Sequence, residues 1–256
     1  MMSHLMVATM LTFVLGVADQ NYYYYIAGNR INQNTYGILA LACALHWLCA
    51  FEQMRIKKGY RLLGQLCGLI LGVSYIMESG CRSALLAYVV LLFLLLVIWK
   101  PFPTKWRWSL LTLFAAGCFL FTIVYLYMSE HMDDILLFQK TLFSGREIIW
   151  KEALALLRKH AVLGIGNTQL TDSMHNTMLQ IWYSLGVIPF LTVTALLGYG
   201  VSFPKHVRTA RCAQLAFISC LMIAFFESFL ADPYLYLFFA SFLLTHVRSD
   251  RTEESQ

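Results

Sequence analysis

The stretch Ser173–Phe203, SMHNTMLQIWYSLGVIPFLTVTALLGYGVSF, decides the class of fold. From Asn176 onward it is an apolar run of almost thirty residues with no charged side chain. That is long enough to cross a bilayer. A titratable imidazole, His175, and an amide, Asn176, stand at its mouth. A group able to carry charge at the edge of hydrocarbon is costly unless it faces a cavity or a partner, so its purpose depends on the topology around it.

The rest of the chain supports a membrane reading. Of its 256 residues 59% are hydrophobic and 13% charged, and the mean hydropathy is +0.62. A soluble domain of this length cannot hide so much apolar surface. Further apolar runs fall at Leu5–Ala18, Tyr36–Phe51, Leu62–Met77, Ala84–Trp99, Ser109–Met128, Cys212–Ala231 and Tyr234–His246. With Asn176–Phe203 they predict an all-α, polytopic transmembrane helical bundle of about eight spans, with residues 1–256 as a single integral membrane domain. Several runs are shorter than the ideal of about 20 residues, which predicts tilt or shallow insertion. The net charge of +5 does not point to nucleic acid, because the basic residues are spread between apolar runs instead of forming one soluble face. Seven cysteines, without a CxxC, read as small core residues and not as a disulfide framework or metal site. Met1–His4 lacks a basic region, so the first run reads as a retained helix. Tyr22–Tyr25 read as part of an interfacial belt.

Orientation follows from lysine and arginine placement. Basic residues gather in Glu52–Arg61, Lys100–Trp108, Pro204–Arg211 and the tail beyond His246. These segments alternate with poorly basic ones, so the basic set is expected in the cytoplasm, with both termini inside. The other side then holds Asp19–Thr35, Glu78–Ser83, the break at Asp232–Pro233 and one large periplasmic loop, residues 129–175. Within that loop Gly145–His160, GREIIWKEALALLRKH, places Ile148, Ile149, Ala153, Leu156 and Leu157 at helical spacing. This predicts an amphipathic helix that lies on the membrane or caps the bundle, ended by a turn at GIGN, Gly164–Asn167.

Arg30, Arg82, Arg146 and His175 are then expected on one face. Arginine forks suit phosphate oxygens, and several beside a membrane suggest a lipid diphosphate. A neutral imidazole near them can take a proton from an attacking hydroxyl. Each residue also has an ordinary role open to it. Arg82 can snorkel to the interface, and Arg30 can be a plain loop charge. Arg146 can pair with Glu147, Glu152, Asp133 or Asp134, and His175 can simply neighbour a helix capped by Asn176. Glu227 reads as polar glue within a span.

Five ordered segments resemble the O-antigen ligase and polymerase superfamily. They are SGCRSALLAYVVLLFLLL from Ser79, SGREIIWKEALALLRKHAVLGIGN from Ser144, MHNTMLQIWYSLGVIPF from Met174, GNRINQNTYGILA from Gly28 and FESFLADPYLYLFF from Phe226. Together they cover about residues 28–245. The resemblance implies a GT-C-type glycosyltransferase of the bacterial inner membrane, working without a metal or other cofactor. Its donor is a glycan on undecaprenyl diphosphate, and its acceptor is a lipid A–core or glycan hydroxyl at the periplasmic face. By motif, Arg82 and Arg146, with Arg30, would hold the diphosphate, His175 would act as the base, and Asn176 and Glu227 would support it. The chain is shorter than the family pattern and is expected to be a compact or N-terminally truncated member. The short stretch Thr168–Ser173 favours a polymerase-like role over a ligase. The competing readings are a transporter or flippase of lipid-linked saccharides, which predicts broken or charged spans near the midplane, and an inactive fragment or membrane scaffold.

Overall fold

The computed structural model describes residues 2–18, 24–26, 29–98, 100, 107–132, 136–137, 140–141, 145–166, 174–201 and 210–227. In chain order these form α1 (Met2–Gly16), β1 (Tyr24–Ile26), β2 (Asn29–Ile31), α2 (Gln33–Gln53), α3 (Lys58–Ser79), α4 (Arg82–Val97), α5 (Arg107–His131), β3 (Leu136–Leu137), β4 (Lys140–Thr141), α6 (Arg146–His160), α7 (Thr177–Leu185), α8 (Val187–Val201) and α9 (Ala210–Ile223). Two short antiparallel hairpins, β1–β2 and β3–β4, are the only strands among the described residues. The chain divides into two compact units. The first takes residues 1–104, 203–223 and 233–256; the second takes 105–202 and 224–232.

Three helices among the described residues are long and apolar enough to cross a membrane: α2, α3 and, within α5, Thr112–His131. Shorter apolar helices occupy His4–Gly16, Arg82–Val97 and Gln214–Ile223. The run expected at Tyr234–His246 lies outside the described residues.

In the first unit α2 is the central helix. Its most apolar window is 78% buried, against 28% for α3. A helix apolar on every side is one enclosed by other helices, whereas α3 presents Leu63, Leu66 and Ile70 outward at helical spacing. Close approach of the two comes from small residues. A Cβ on Gly68 would stand 2.5 Å from the Cβ of Trp47, and one on Gly72 would stand 2.5 Å from the Cβ of Ala44. Spaced four apart, these glycines form the small-residue seam that lets apolar helices pack backbone to backbone. Arg211 at the start of α9 donates from Nε and Nη2 to the carbonyls of Ile98 and Leu95, satisfying the orphan acceptors at the end of α4. Tyr24, expected in an interfacial belt, is buried and stacked on Tyr36 with ring centroids 3.7 Å apart. Of the described cysteines, Cys43, Cys49, Cys81, Cys118 and Cys212 are buried and Cys67 is exposed, all as thiols outside any disulfide.

The second unit corrects three sequence expectations. First, Asn176–Phe203 is not one helix. It breaks at Gly186, where φ is +86°, and becomes α7 and α8. The break is where the turn after α6 docks. Ile165 N–H donates to the Tyr183 carbonyl (2.8 Å), Gly166 N–H to Ser184 (3.0 Å) and Val187 N–H to Val162 (3.1 Å). Trp182 Nε1–H reaches the Ala161 carbonyl at 2.7 Å. A continuous helix would consume the acceptors that this loop uses. Second, the run Cys212–Ala231 leaves the helix after Ile223, because the Ala224 carbonyl takes the N–H of Thr177 at 2.9 Å. Glu227 therefore stands in the turn beyond α9 and not within a helix. Third, Ile148 departs from the stripe expected on α6 and is 68% exposed, while Ala153 and Leu157 are buried with Trp150, and Ile149 and Leu156 pack against them. This stripe packs with Met174, Leu179 and Tyr183, so the helix caps the second unit.

Gly186 is the sharpest steric constraint in this unit, since a Cβ there would lie 2.2 Å from the Val162 carbonyl oxygen. Gly186→Ala should combine left-handed strain with overpacking and cost roughly 2–4 kcal/mol. Gly166→Ala has a similar φ of +77° but meets nothing within 4 Å, so it should cost only the strain, about 1 kcal/mol. Thermal unfolding in detergent should place the Gly186 variant well below the Gly166 variant; equal melting would mean that the docking is loose.

Candidate functional site

The site is assembled in the second unit from three segments far apart in sequence. Arg146 opens α6 behind Gly145, which ends the preceding segment at φ +76°. His175 precedes α7, and Glu227 lies in the turn beyond α9. The Glu227 carboxylate joins the other two. Arg146 Nη2 is 3.3 Å from Oε1, and His175 Nδ1 is 3.0 Å from Oε2. The Glu227 side chain is 8% exposed, that of Arg146 14% and that of His175 32%, so the imidazole is the most accessible of the three. A carboxylate can only accept. A neutral His175 in this arrangement therefore carries its proton on Nδ1 and presents the Nε2 lone pair as base.

Backbone contacts fix the segment that carries His175. Trp150 Nε1–H donates to the Met174 carbonyl at 2.6 Å, and the indole is fully buried between Phe121 and Tyr125. His175 itself adopts φ +50°, an uncommon conformation for a residue with a Cβ, which persists where surroundings enforce it. Asn176 caps α7 by accepting the Leu179 N–H at 3.0 Å, and its Nδ2–H donates to Thr122 Oγ1 at 3.2 Å. Thr177 Oγ1–H donates to the Glu227 carbonyl at 2.6 Å, tying the mouth of α7 to the turn that bears the carboxylate.

Of the residues expected from the sequence, Arg146, His175, Asn176 and Glu227 meet here. Arg146 reaches Glu227, 81 positions away, and not its helix neighbours Glu147 and Glu152; Asp133 and Asp134 lie outside the described residues. Arg82 and Arg30 belong to the first unit. Arg82 opens α4 after a buried turn in which Gly80 has φ +62° and Ser79 Oγ accepts the Cys81 N–H at 3.1 Å. Arg30 is exposed on β2, opposite Tyr25. Trp150, Thr122 and Thr177 were not anticipated as part of the site. Trp150 carries a faint signal, one helical turn from Arg146, but a threonine inside an apolar helix carries none, because it ordinarily bonds its own backbone.

The model of the O-antigen ligase family matches residues 67–194, half of the chain. The chain belongs to this family. No curated protein and no solved structure matches it. Membership makes it an integral membrane protein of the ligase or polymerase type of glycosyl transfer. The matched region contains Arg82, Arg146, His175 and Asn176, while Glu227 lies beyond it and is supplied by the fold.

Glu227→Gln keeps the shape but removes the anion that Arg146 and His175 share. The expected loss is about 3 kcal/mol, the lower end for breaking a buried pair, because both partners keep some access to water. Trp150→Phe removes the donor to Met174 and should cost about 1–3 kcal/mol. Both are read by thermal unfolding in detergent, and an unchanged midpoint for Glu227→Gln would show that the carboxylate is not what holds the three segments together.

Proposed function

We propose that the chain transfers a glycan from undecaprenyl diphosphate to an acceptor sugar hydroxyl at the periplasmic face of the bacterial inner membrane, as an O-antigen or surface-polysaccharide ligase or polymerase. One observation carries the reading: a single buried carboxylate, Glu227, holds a guanidinium on one oxygen and an imidazole on the other. A guanidinium and an imidazole held side by side support this reading, since a diphosphate suits the first and an acceptor hydroxyl proton the second.

In the proposed reaction His175 Nε2 takes the acceptor hydroxyl proton. The acceptor oxygen attacks the anomeric carbon as the bond from that carbon to the diphosphate oxygen breaks. Glu227 keeps Nδ1–H oriented and stabilises the imidazolium as it forms, as a carboxylate behind a catalytic histidine does. Arg146 has five N–H donors, so the bond to Glu227 leaves others for the departing diphosphate, whose growing charge is where electrostatic help lowers the barrier. Arg82 and Arg30 are assigned to the same diphosphate by motif. No metal or cofactor is needed for these steps. The proposal also keeps the GT-C-type bundle of about eight spans, with both termini cytoplasmic and residues 129–175 periplasmic.

Transfer assays in reconstituted membranes at equal protein level test the roles. His175→Ala should slow transfer by about 10²–10⁴-fold with donor binding kept. His175→Gln should be as slow, because the amide cannot accept a proton at neutral pH; near-normal turnover would reduce His175 to a positioning group. Arg146→Lys should lose most activity despite the retained charge, since lysine cannot make a two-pronged phosphate contact, and Arg82→Ala should be impaired while still inserting. Normal rates for both arginine variants would remove the diphosphate role.

Orientation has its own test. With native thiols replaced, an impermeant reagent added outside should modify a cysteine at exposed Ala155 and spare one at exposed Lys57. The reverse pattern would overturn the topology.

A further inference from the structure

The turn after α6 is built to expose what it would normally hide. Leu163 is 83% exposed and Val162 64%, on the non-helical segment Ala161–Gly166. This is not a slack segment. Four hydrogen bonds pin Ala161–Gly166 to the break between α7 and α8, from Trp182 Nε1–H to Ala161 and between the backbones of Val162, Ile165 and Gly166 and those of Val187, Tyr183 and Ser184. Gly164 is held so closely that a Cβ would lie 2.6 Å from the Gly186 nitrogen. Two large apolar side chains are thus held on a pinned turn and left mostly exposed.

Two features identify what covers them. The apolar surface continues past the tip: Leu185 on one side of the break is 56% exposed, and Ile188 and Leu191 on the other are 68% and 57% exposed at helical spacing along α8. In a membrane-integral family an outward apolar stripe of this kind faces acyl chains. The last turn of α6, directly before the tip, carries Arg158, Lys159 and His160, all exposed. Apolar side chains bordered by cations are the pattern of a segment seated at the headgroup boundary, with the cations among phosphates.

We infer that the Val162–Leu163 tip is a membrane anchor. It inserts into the bilayer interface beside α8, with Arg158 and Lys159 on anionic lipid headgroups. The anchor rests on exposure and charge alone and does not depend on the transfer chemistry. Its effect is to tie the far end of α6 to the lipid surface while the near end carries Arg146, so that the helix cannot tilt freely against the bilayer.

The test uses the full chain with an environment-sensitive fluorescent amino acid at Leu163, reconstituted into vesicles of equal parts phosphatidylcholine and phosphatidylglycerol. The same label at Ala155, exposed on α6 away from the tip, is the aqueous control. Leu163 makes so little contact that the substitution should leave the thermal midpoint unchanged, and Val162 is an alternative labelling position. Lipids carrying a quencher high on the acyl chain should quench the label at 163 several-fold more than the label at 155. A water-soluble quencher should show the opposite order. In phosphatidylcholine alone the lipid quenching at 163 should fall, and Arg158→Gln with Lys159→Gln should remove that dependence on anionic lipid, each cation near such a surface being worth about fivefold in partition. Equal lipid quenching at 163 and 155 would overturn the anchor. So would a photoreactive residue at 163 that crosslinks to protein, a second copy included, and not to lipid.

Discussion

A carboxylate buried to 8% exposure cannot stand alone, and the second unit is organised around the partners that Glu227 acquires. Removing a carboxylate from water costs several kcal/mol unless charge and hydrogen bonds replace the solvent. Arg146 supplies a fixed positive charge on one oxygen and His175 an N–H on the other. These partners arrive on different elements, so satisfying one carboxylate joins the start of α6, the mouth of α7 and the turn after α9. Thr177 reinforces the same junction with its backbone N–H on Ala224 and its hydroxyl on the Glu227 carbonyl. Groups held this firmly before substrate arrives have little reorganisation left to do during reaction.

The break at Gly186 serves that junction. If α7 and α8 were continuous, one helix axis would have to satisfy both the junction at His175 and the packing along α5. The kink separates the two demands. It lets α7 run into the site, while Phe190 on α8 meets Phe119 with ring centroids 5.6 Å apart. The docked turn at Val162–Gly166 compensates the backbone groups that the kink releases.

The first unit solves a related problem with fewer charges. Several polar side chains of its apolar helices look inward. Thr12 Oγ1–H returns to the Ala8 carbonyl at 2.8 Å, and Trp47 Nε1–H reaches Thr12 at 3.0 Å. His4 and His46 meet at 2.9 Å between Nδ1 atoms, both fully buried, and so link α1 to α2. Close packing over glycine on α3 and the Arg211 cap on α4 then make a bundle that depends on shape and hydrogen bonding more than on ion pairs.

Composition and periodicity in the sequence determine that the chain is helical and made for a membrane, because 59% hydrophobic content leaves no other way to shelter its surface. They also mark an amphipathic helix at Gly145–His160 and a glycine-rich stop after it, and the resemblance picks out Arg146, His175 and Asn176 at element boundaries. Residues that open or close an element are legible because their backbone needs are local. The partners of those residues were decided by tertiary structure. Glu227 lies 81 positions from Arg146 and 52 from His175, and nothing in its own neighbourhood distinguishes polar glue from the centre of a site. On α6 the expected stripe faces the core at Ile149, Ala153, Leu156 and Leu157, and only Ile148 turns outward, while Trp150 joins the core because its indole N–H has a carbonyl waiting at Met174. The long apolar run concealed its own break for the same reason. A glycine within hydrophobic residues is compatible with a straight helix until another backbone approaches closely enough to need the missing side chain, and that approach is a property of the packed chain.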